Sequence, residues 1–401
     1  MPYLRIRTLD RRRLLGGSLG LGGMAALGGC ASIARPTPGA PGQMRARDYI
    51  DLAPIRARPD RLFDITCCLR PFRAQGPRLD TEQVGDALVV HNYGHGGSGW
   101  SLSWGSGTLA VRKAMASSPR EIAVVGCGAL GLTAAILARQ AGAEVTIYAR
   151  DLLPETRSAR ATGTWTPDSR IGLTGSLDAG FPALWEEMAR TSFRTYRRYL
   201  GLPGDPVEWI DRYVVPGGEE RPDLPDPLGF ANHLHMAIRD LTPRGEMLPA
   251  GATPFGEVAV RRTSDLVFNI ADYGHTLMGD FLAMGGRIQR REFRSPAELG
   301  QLREKVVINC PGYGARALWK DESIVPVRGQ IGWLIPQPEA RYALYYDGIN
   351  LVSRRDGVCV QDVGGGDMRG YGSEDEAPHR EESEAAVARI AGLYARFGRR
   401  A

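Results

Sequence analysis

Beyond its first 30 residues the sequence has no uncharged apolar run long enough to cross a bilayer, which excludes a polytopic membrane protein. Its 51 glycines and 27 prolines follow no period, and that excludes collagen-like and coiled-coil chains. Cysteine is scarce: there are 6 in 401 residues, with no C-x-x-C, and adjacent Cys67 and Cys68 cannot bridge each other without strain. After Cys30 an odd number remains, so a complete disulfide framework is impossible. Cys127, Cys310 and Cys359 lie in apolar strand-like runs and read as buried thiols. No nucleic-acid motif occurs and no basic run follows the first 30 residues, which leaves nothing to recommend a nucleic-acid partner. What is present is ordinary globular chemistry, 43% apolar and 24% charged, in a chain long enough for two or three domains.

The net charge of +5 is concentrated at the start. Arg5, Arg7, Arg11, Arg12 and Arg13, set against Asp10, account for four of those charges. A glycine-rich apolar stretch from Leu14 to Gly29 follows, which is the layout of an export signal. Asp10 to Leu15 resembles the twin-arginine signal, and Leu27-Gly28-Gly29-Cys30 resembles a bacterial lipobox, whose cysteine becomes a lipidated N-terminus. These likenesses imply a protein exported through residues 1–30 and held by a lipid anchor at the membrane, facing the periplasm. Residues 31–59, aperiodic in Pro, Ala, Arg and Gly, read as a flexible tether.

In mid-chain, Glu121 to Val125 predicts a short apolar strand, followed by Gly126-Cys127-Gly128-Ala129-Leu130-Gly131. Leu132 to Gln140 reads as a helix, Gly142 ends it, and Glu144 to Tyr148 is the next strand. This strand, glycine turn, helix and strand is what a dinucleotide requires. The first glycine makes the turn, the second admits the pyrophosphate, and the third lets helix and strand pack closely. Arg150-Asp151 follows the second strand, which makes Asp151 the candidate for the adenosine ribose and places Arg150 near the adenine.

His91-Asn92-Tyr93-Gly94-His95-Gly96-Gly97-Ser98-Gly99-Trp100-Ser101-Leu102-Ser103-Trp104-Gly105 is the most specific stretch. It resembles the signature of the D-amino acid oxidase family nearly residue for residue. Leu69-Arg70-Pro71-Phe72-Arg73 and Leu241-Thr242-Pro243-Arg244 are similar to family segments as well, and the segments Thr156 to Pro167 and Val306 to Ala315 resemble the later FAD-contact segments of flavin amine oxidases. By itself, Gly94 to Gly99 reads as backbone with exposed N–H groups running into a helix at Trp100, whose N-terminus favours negative charge. Spacing alone gives His91 and His95 no third ligand for a metal.

The resemblance implies an α/β fold, with a Rossmann-type FAD-binding domain and an α+β substrate domain whose sheet is mainly antiparallel. The expected boundaries are 60–168 and 262–332 for the first and 169–261 and 333–401 for the second. FAD is the implied cofactor, contacted by Gly126, Gly128, Ala129, Leu130, Gly131, Arg150, Asp151, Thr156, Ser158, Gly163, Thr164, Trp165, His95, Gly96, Gly97, Ser98, Gly99, Trp100 and Ser101. The implied reaction oxidises a C–N bond of a D-amino acid or related amine, with Arg70 gripping the substrate carboxylate and O₂ or another carrier taking the electrons. A flavin dehydrogenase with a non-O₂ acceptor, and a flavin- or ligand-binding lipoprotein without turnover, are the alternatives.

Two departures from the family stand out. The signature precedes the nucleotide motif, so residues 60–117 resemble the end of the family's chain moved to the front, a circular permutation joined at Ser117 to Arg120. The C-terminal helix expected over Glu381 to Phe397, with apolar Ala385, Ala386, Ile390, Leu393 and Tyr394, would otherwise lead into Phe63 to Arg70. Where the family carries two substrate tyrosines before Phe268-Asn269, this sequence has Thr263 and Asp265. Trp209, Tyr213 and Tyr345-Tyr346 are candidate wall or core residues. Either Gln361-Asp362 or Gly364 to Gly366 takes the place of a glycine pair beside the flavin.

Overall fold

The computed structural model describes residues 49–218 and 226–397. The export signal, the lipobox and most of the tether lie outside these residues. The strands are β1 (Leu62–Arg73), β2 (Thr81–Val84), β3 (Ala87–His91), β4 (Glu121–Val125), β5 (Glu144–Ala149), β6 (Val207–Val214) and β7 (Glu246–Leu248). They continue with β8 (Val260–Phe268), β9 (Arg287–Arg290), β10 (Val306–Asn309), β11 (Ile324–Leu334), β12 (Tyr342–Tyr346), β13 (Ile349–Arg354) and β14 (Gly357–Asp362). The helices are α1 (Gly99–Ala114), α2 (Ala129–Gln140), α3 (Phe181–Tyr196), α4 (Ile270–Ala283), α5 (Ala297–Gly300), α6 (Ala315–Leu318) and α7 (Arg380–Phe397).

Two sheets organise the molecule. The smaller has the order β2-β3-β10-β4-β5-β9, parallel throughout except for β2 at its edge. Its central strands are near-continuous apolar runs because helices cover both faces. Alternate side chains divide accordingly. Ile122, Val124, Val145, Ile147 and Ile308 face a core shared with α1, α2 and α4, while Ala123, Val125, Tyr148 and Val307 join Phe293, Leu299 and Leu318 opposite. The order reverses at β4, with β5 on one side and β10 on the other. The crevice at the C-terminal ends of such strands is where open sheets bind ligands.

The larger sheet has the order β1-β11-β14-β13-β12-β6-β8-β7 and is antiparallel except between β12 and β6. The expected α/β architecture with a mainly antiparallel second sheet is what the chain forms. Strands β1 and β11, which the sequence reading placed in FAD-domain segments, hydrogen-bond to each other in this larger sheet. Long-range pairing decides that membership, and no local pattern in either strand carries it. α7 packs on the sheet through Ala386, Val387, Ile390 and Leu393, one helical face. Ala385, expected on that face, is exposed.

The tether expected to reach residue 59 ends earlier among the described residues. Ile55 and Ala57 are buried, and Ile50, Leu52 and Ala53 pack into the core that holds Leu393 and Tyr394. The end of α7 therefore lies beside the segment that enters β1. At the other junction, residues 118–120 join the turn after α1 to β4, with Ser118 in the left-handed region at φ 49°.

α1 runs through the middle of this packing on small residues. A Cβ on Gly105 would collide with the backbone of Met188 on α3. Gly105→Ala should therefore force α1 and α3 apart and lower stability by about 2 kcal/mol or more, read as a fall in the thermal midpoint.

Candidate active site

The glycines after β4 are required by close backbone approach. Gly126 has φ +98°, and a Cβ there would strike the carbonyl of Cys310 at the end of β10, whose N–H is donated to Val125. A Cβ on Gly131 would strike the carbonyl of Gly126, so helix and turn pack as the motif predicts. Gly128 caps α2 with no side chain of its own, and the first residues of the helix, Ala129 and Leu130, line a cavity of about 630 Å³. Ser158 Oγ accepts the Ala129 N–H at 3.1 Å, and its carbonyl accepts the Trp100 indole N–H at 2.8 Å. One residue thus links the beginnings of α1 and α2.

The signature loop forms another wall, with a correction to the expected role of its glycines. The Gly96 and Gly97 N–H groups are not free: they are donated to the carbonyls of Pro71, at 2.9 Å, and Ser169, at 3.0 Å. Gly96 has φ +54°, and a Cβ there would overlap the carbonyl of Arg170. The open N–H groups belong to the next turn, where Gly99, Trp100 and Ser101 begin α1 and line the cavity. His95 is buried, with Nε2 2.7 Å from Ser106 Oγ, and Nδ1 has no partner. Burial pushes its pKa down to about 3, so it is neutral at ordinary pH.

Arg70 projects from β1 into the same cavity. Its guanidinium lies against Gly329 of β11, where any Cβ would collide with it. It makes one hydrogen bond, to the carbonyl of Arg328 at 3.3 Å, and no carboxylate of the described residues is within ion-pair distance. Neighbouring arginines of the wall are paired. Arg157 meets Glu376 at 2.7 Å, Arg328 meets Glu382 at 3.0 Å, Arg369 meets Glu382 at 2.9 Å and Arg170 meets Asp367 at 3.3 Å.

The cavity brings together Arg70, His95, Gly96, Gly97, Gly99, Trp100, Ser101, Ala129, Leu130, Ser158, Gly163 and Thr164. Gly126, Gly128, Gly131, Ser98 and Thr156 lie behind that surface. Ser98 holds the wall by donating to the carbonyl of Ser169 at 2.9 Å, and the buried Thr156 hydroxyl has no partner. Trp165 is packed in the core against Phe193, with ring centroids 5.1 Å apart, and does not line the cavity. Arg150 and Asp151 do not line it either. They pair with each other at 2.7 Å at the surface, a contact that holds the Asp151 carboxyl below its usual range.

Thr263 and Asp265 lie on β8 away from the cavity, and Asp265 is ion-paired with Arg212. Arg212 in turn donates to Asn350 at 2.6 Å, and Asn350 does line the cavity. Tyr213 and Tyr346 are core residues. Of the two alternatives after β14, Gln361 and Asp362 face the cavity, and Gly364 to Gly366 do not. Sequence reasoning missed Arg170, Arg369 and Asn350 as wall residues, while Gln361 was one of its two alternatives beside the flavin. Arg170 comes from a segment well before β13, which carries Asn350, and the segment after β14, which carries Arg369, and only the tertiary fold brings it to them.

A family model for the FAD-dependent oxidoreductases, DAO, matches residues 121–400. The chain belongs to this FAD-dependent oxidoreductase family. The D-amino-acid oxidase of Rubrobacter xylanophilus is 30% identical to it over 281 residues, covering 68% of this chain and 77% of the relative. The D-amino-acid oxidase of Dictyostelium discoideum is 29% identical, covering 53% of this chain and 56% of its own length. That of Streptomyces coelicolor is 28% identical, covering 53% and 58%.

FAD is the cofactor of this family, and the residues of this FAD-dependent oxidoreductase fit it. The glycine turn leaves a Cβ-free cradle at the start of α2, and the unpartnered Thr156 hydroxyl and His95 Nδ1 lie at the same walls. The cavity, of the size range of small-ligand sites (about 300–1,000 Å³), runs from Ala129 and Leu130 to Arg70. Ala129, Leu130 and Ser158 would hold one part of FAD, and Gly99, Trp100 and Ser101 another.

Two outcomes are expected. A Cβ on Gly128 would lie 2.6 Å from Ser158 Oγ, so Gly128→Val should cost the enzyme its bound FAD while leaving far-UV circular dichroism intact; the FAD-to-protein ratio after purification checks this. His95 has a folded pKa below its unfolded value of about 6.5, so the unfolded chain takes up the proton first. Its contribution to stability is complete above about pH 6.5 and is lost as pH falls toward 3. The thermal midpoint of the native enzyme should fall across that window more steeply than that of His95→Asn.

Proposed function

We propose that the chain oxidises the C–N bond of a D-amino acid or closely related amine, with Arg70 holding the substrate carboxylate. The observation that carries this reading is a guanidinium without a carboxylate partner among the described residues, in the cavity that also receives the start of α2 and the start of α1. A planar fork suits bidentate pairing with a carboxylate, which lysine would not reproduce. The relatives named D-amino-acid oxidase support the substrate class.

FAD, when bound, supplies the acceptor for the hydride. The protein's own contribution is position. Arg70 fixes one end of the substrate, the polar wall of Thr164, Asn350 and Gln361 bounds the cavity, and the open N–H groups at the start of α1 favour negative charge. The ammonium form gives up one proton to solvent on entry, and the neutral amine then loses a hydride from Cα and leaves as the iminium form of the imino acid. No side-chain acid or base is required if the amine enters neutral.

The segment order reads as a circular permutation of the family. It is supported by the end of α7 lying beside the entry to β1 and by the short connection from α1 to β4. Read as an export signal with a lipid anchor, the leader would hold the catalytic body at a membrane, facing the periplasm.

Anaerobic addition of D-amino acids to the holoenzyme should bleach its yellow colour, and readmitted O₂ should restore it; failure of a broad amine panel to bleach it would overturn the oxidation. Restoration by quinones but not O₂ would make it a dehydrogenase. Arg70→Met should raise KM roughly 30-fold, the loss of about 2 kcal/mol from a charged hydrogen-bonded contact, while FAD stays bound.

A further inference from the structure

Arg170 is the most unusual of the cavity arginines. It has a left-handed backbone, φ 49°, which a non-glycine residue adopts only at a cost of about 1–3 kcal/mol and which concentrates at functional sites. Its side chain is 13% exposed and lines the cavity. Its backbone is tied to Arg70's strand through one glycine: Gly96 donates its N–H to Pro71, next to Arg70, and its missing Cβ admits the carbonyl of Arg170. Arg70 and Arg170 are thus one residue and no residues removed from the same contact, and both point charge into one cavity.

The charges there do not balance. Nε and one terminal nitrogen of Arg170 donate to the carbonyls of Asp367 and Gly366, at 2.9 and 3.1 Å, which leaves the end of the guanidinium with Asp367 Oδ1 at 3.3 Å. Arg70 has no acid at all within ion-pair distance among the described residues. Burial lowers the Arg170 pKa to about 10, and repulsion from Arg70 contributes more to this than Asp367 offsets. Two guanidiniums in one site, only one of them set against a carboxylate, favour a further anion beside them.

We propose that Arg170 is a second carboxylate-binding residue, so that the substrate carboxylate is clamped between Arg70 and Arg170. This rests on the reading of Arg70 given above. Such a clamp supplies positioning that Thr263 and Asp265, which do not line the cavity, do not provide. It also favours substrates whose carboxylate is free and small enough to enter between two planar forks.

The test is calorimetric titration of the holoenzyme with propionate, with propionamide as the uncharged control. Wild-type protein should bind propionate and not propionamide. Arg170→Met should weaken propionate on the order of tenfold or more, as loss of a charge-assisted bond does, and raise KM for the oxidised amino acid more than it lowers kcat. Asp367→Asn, which removes the competing acid and keeps the guanidinium, should bind propionate as tightly as wild type or more tightly.

Wild-type binding by Arg170→Met alongside loss in Arg70→Met would overturn the clamp and leave the function standing. Unchanged binding in Arg70→Met would remove the carboxylate reading itself. If Arg170→Met does not fold, Asp367→Asn decides. Weakening there would mean that the Arg170–Asp367 pair only ties down the turn at Gly366, and the proposal fails.

Discussion

Backbone packed directly on backbone is the constraint on which this site depends. Gly126 lies against Cys310, Gly131 against Gly126, Gly96 against Arg170, and Gly163 against the carbonyl of Phe268, each with no room for a Cβ. These contacts join the ends of β4 and β10, the start of α2, the signature loop, and the end of β8. Interiors packed at this density transmit displacement, so each glycine fixes the distance between groups that act at opposite ends of the cavity. The result is a chamber whose walls come from strands of the larger sheet and from loops and helices connecting the smaller one, with two open helix starts, α1 and α2, facing into it.

Electrostatics then gives the two ends of the chamber different characters. The segment between β14 and α7 supplies Asp367, Asp375 and Glu376, and α7 adds Glu382, each set against an arginine of the wall. Pairs of this kind, partly exposed, contribute little stability singly, but they fix the wall and neutralise it. Arg70 stands outside this compensation, and that makes it available to a ligand carboxylate. Neutral His95 adds no charge at the nucleotide side, where the helix starts already supply positive potential.

The nucleotide motif was legible in the sequence because each of its requirements is local. A tight turn, a close approach and a helix start occur within six residues, and their chemistry shows in residue type. The burial of Cys127, Cys310 and Cys359 was legible for a similar reason, since an apolar strand around a thiol buries it. The role of Gly96 and Gly97 was not. A glycine pair in sequence fits open N–H groups and close packing equally well, and only the carbonyls of Pro71 and Ser169 distinguish the two. Trp165 sat in a cofactor-like segment yet turned into the core, because the ring of Phe193 on α3 offered it apolar cover.

Sequence alone determined the parallel nucleotide unit, the start of α1 to within a residue and the end of α2, though not its start, and the family resemblance singled out Arg70. The chain's scarcity of cysteine and of long apolar runs already confined it to a folded body held together by packing. Tertiary structure decided which residues surround Arg70. Asn350 and Gln361 face each other across the β13–β14 pairing and Arg369 follows soon after, but Arg70 and Arg170 lie far from them along the chain. Arg70 reaches them because β1 pairs with β11 and β11 with β14 in the large sheet, and hydrogen-bond register between distant strands is a property of the assembled sheet that no single segment encodes.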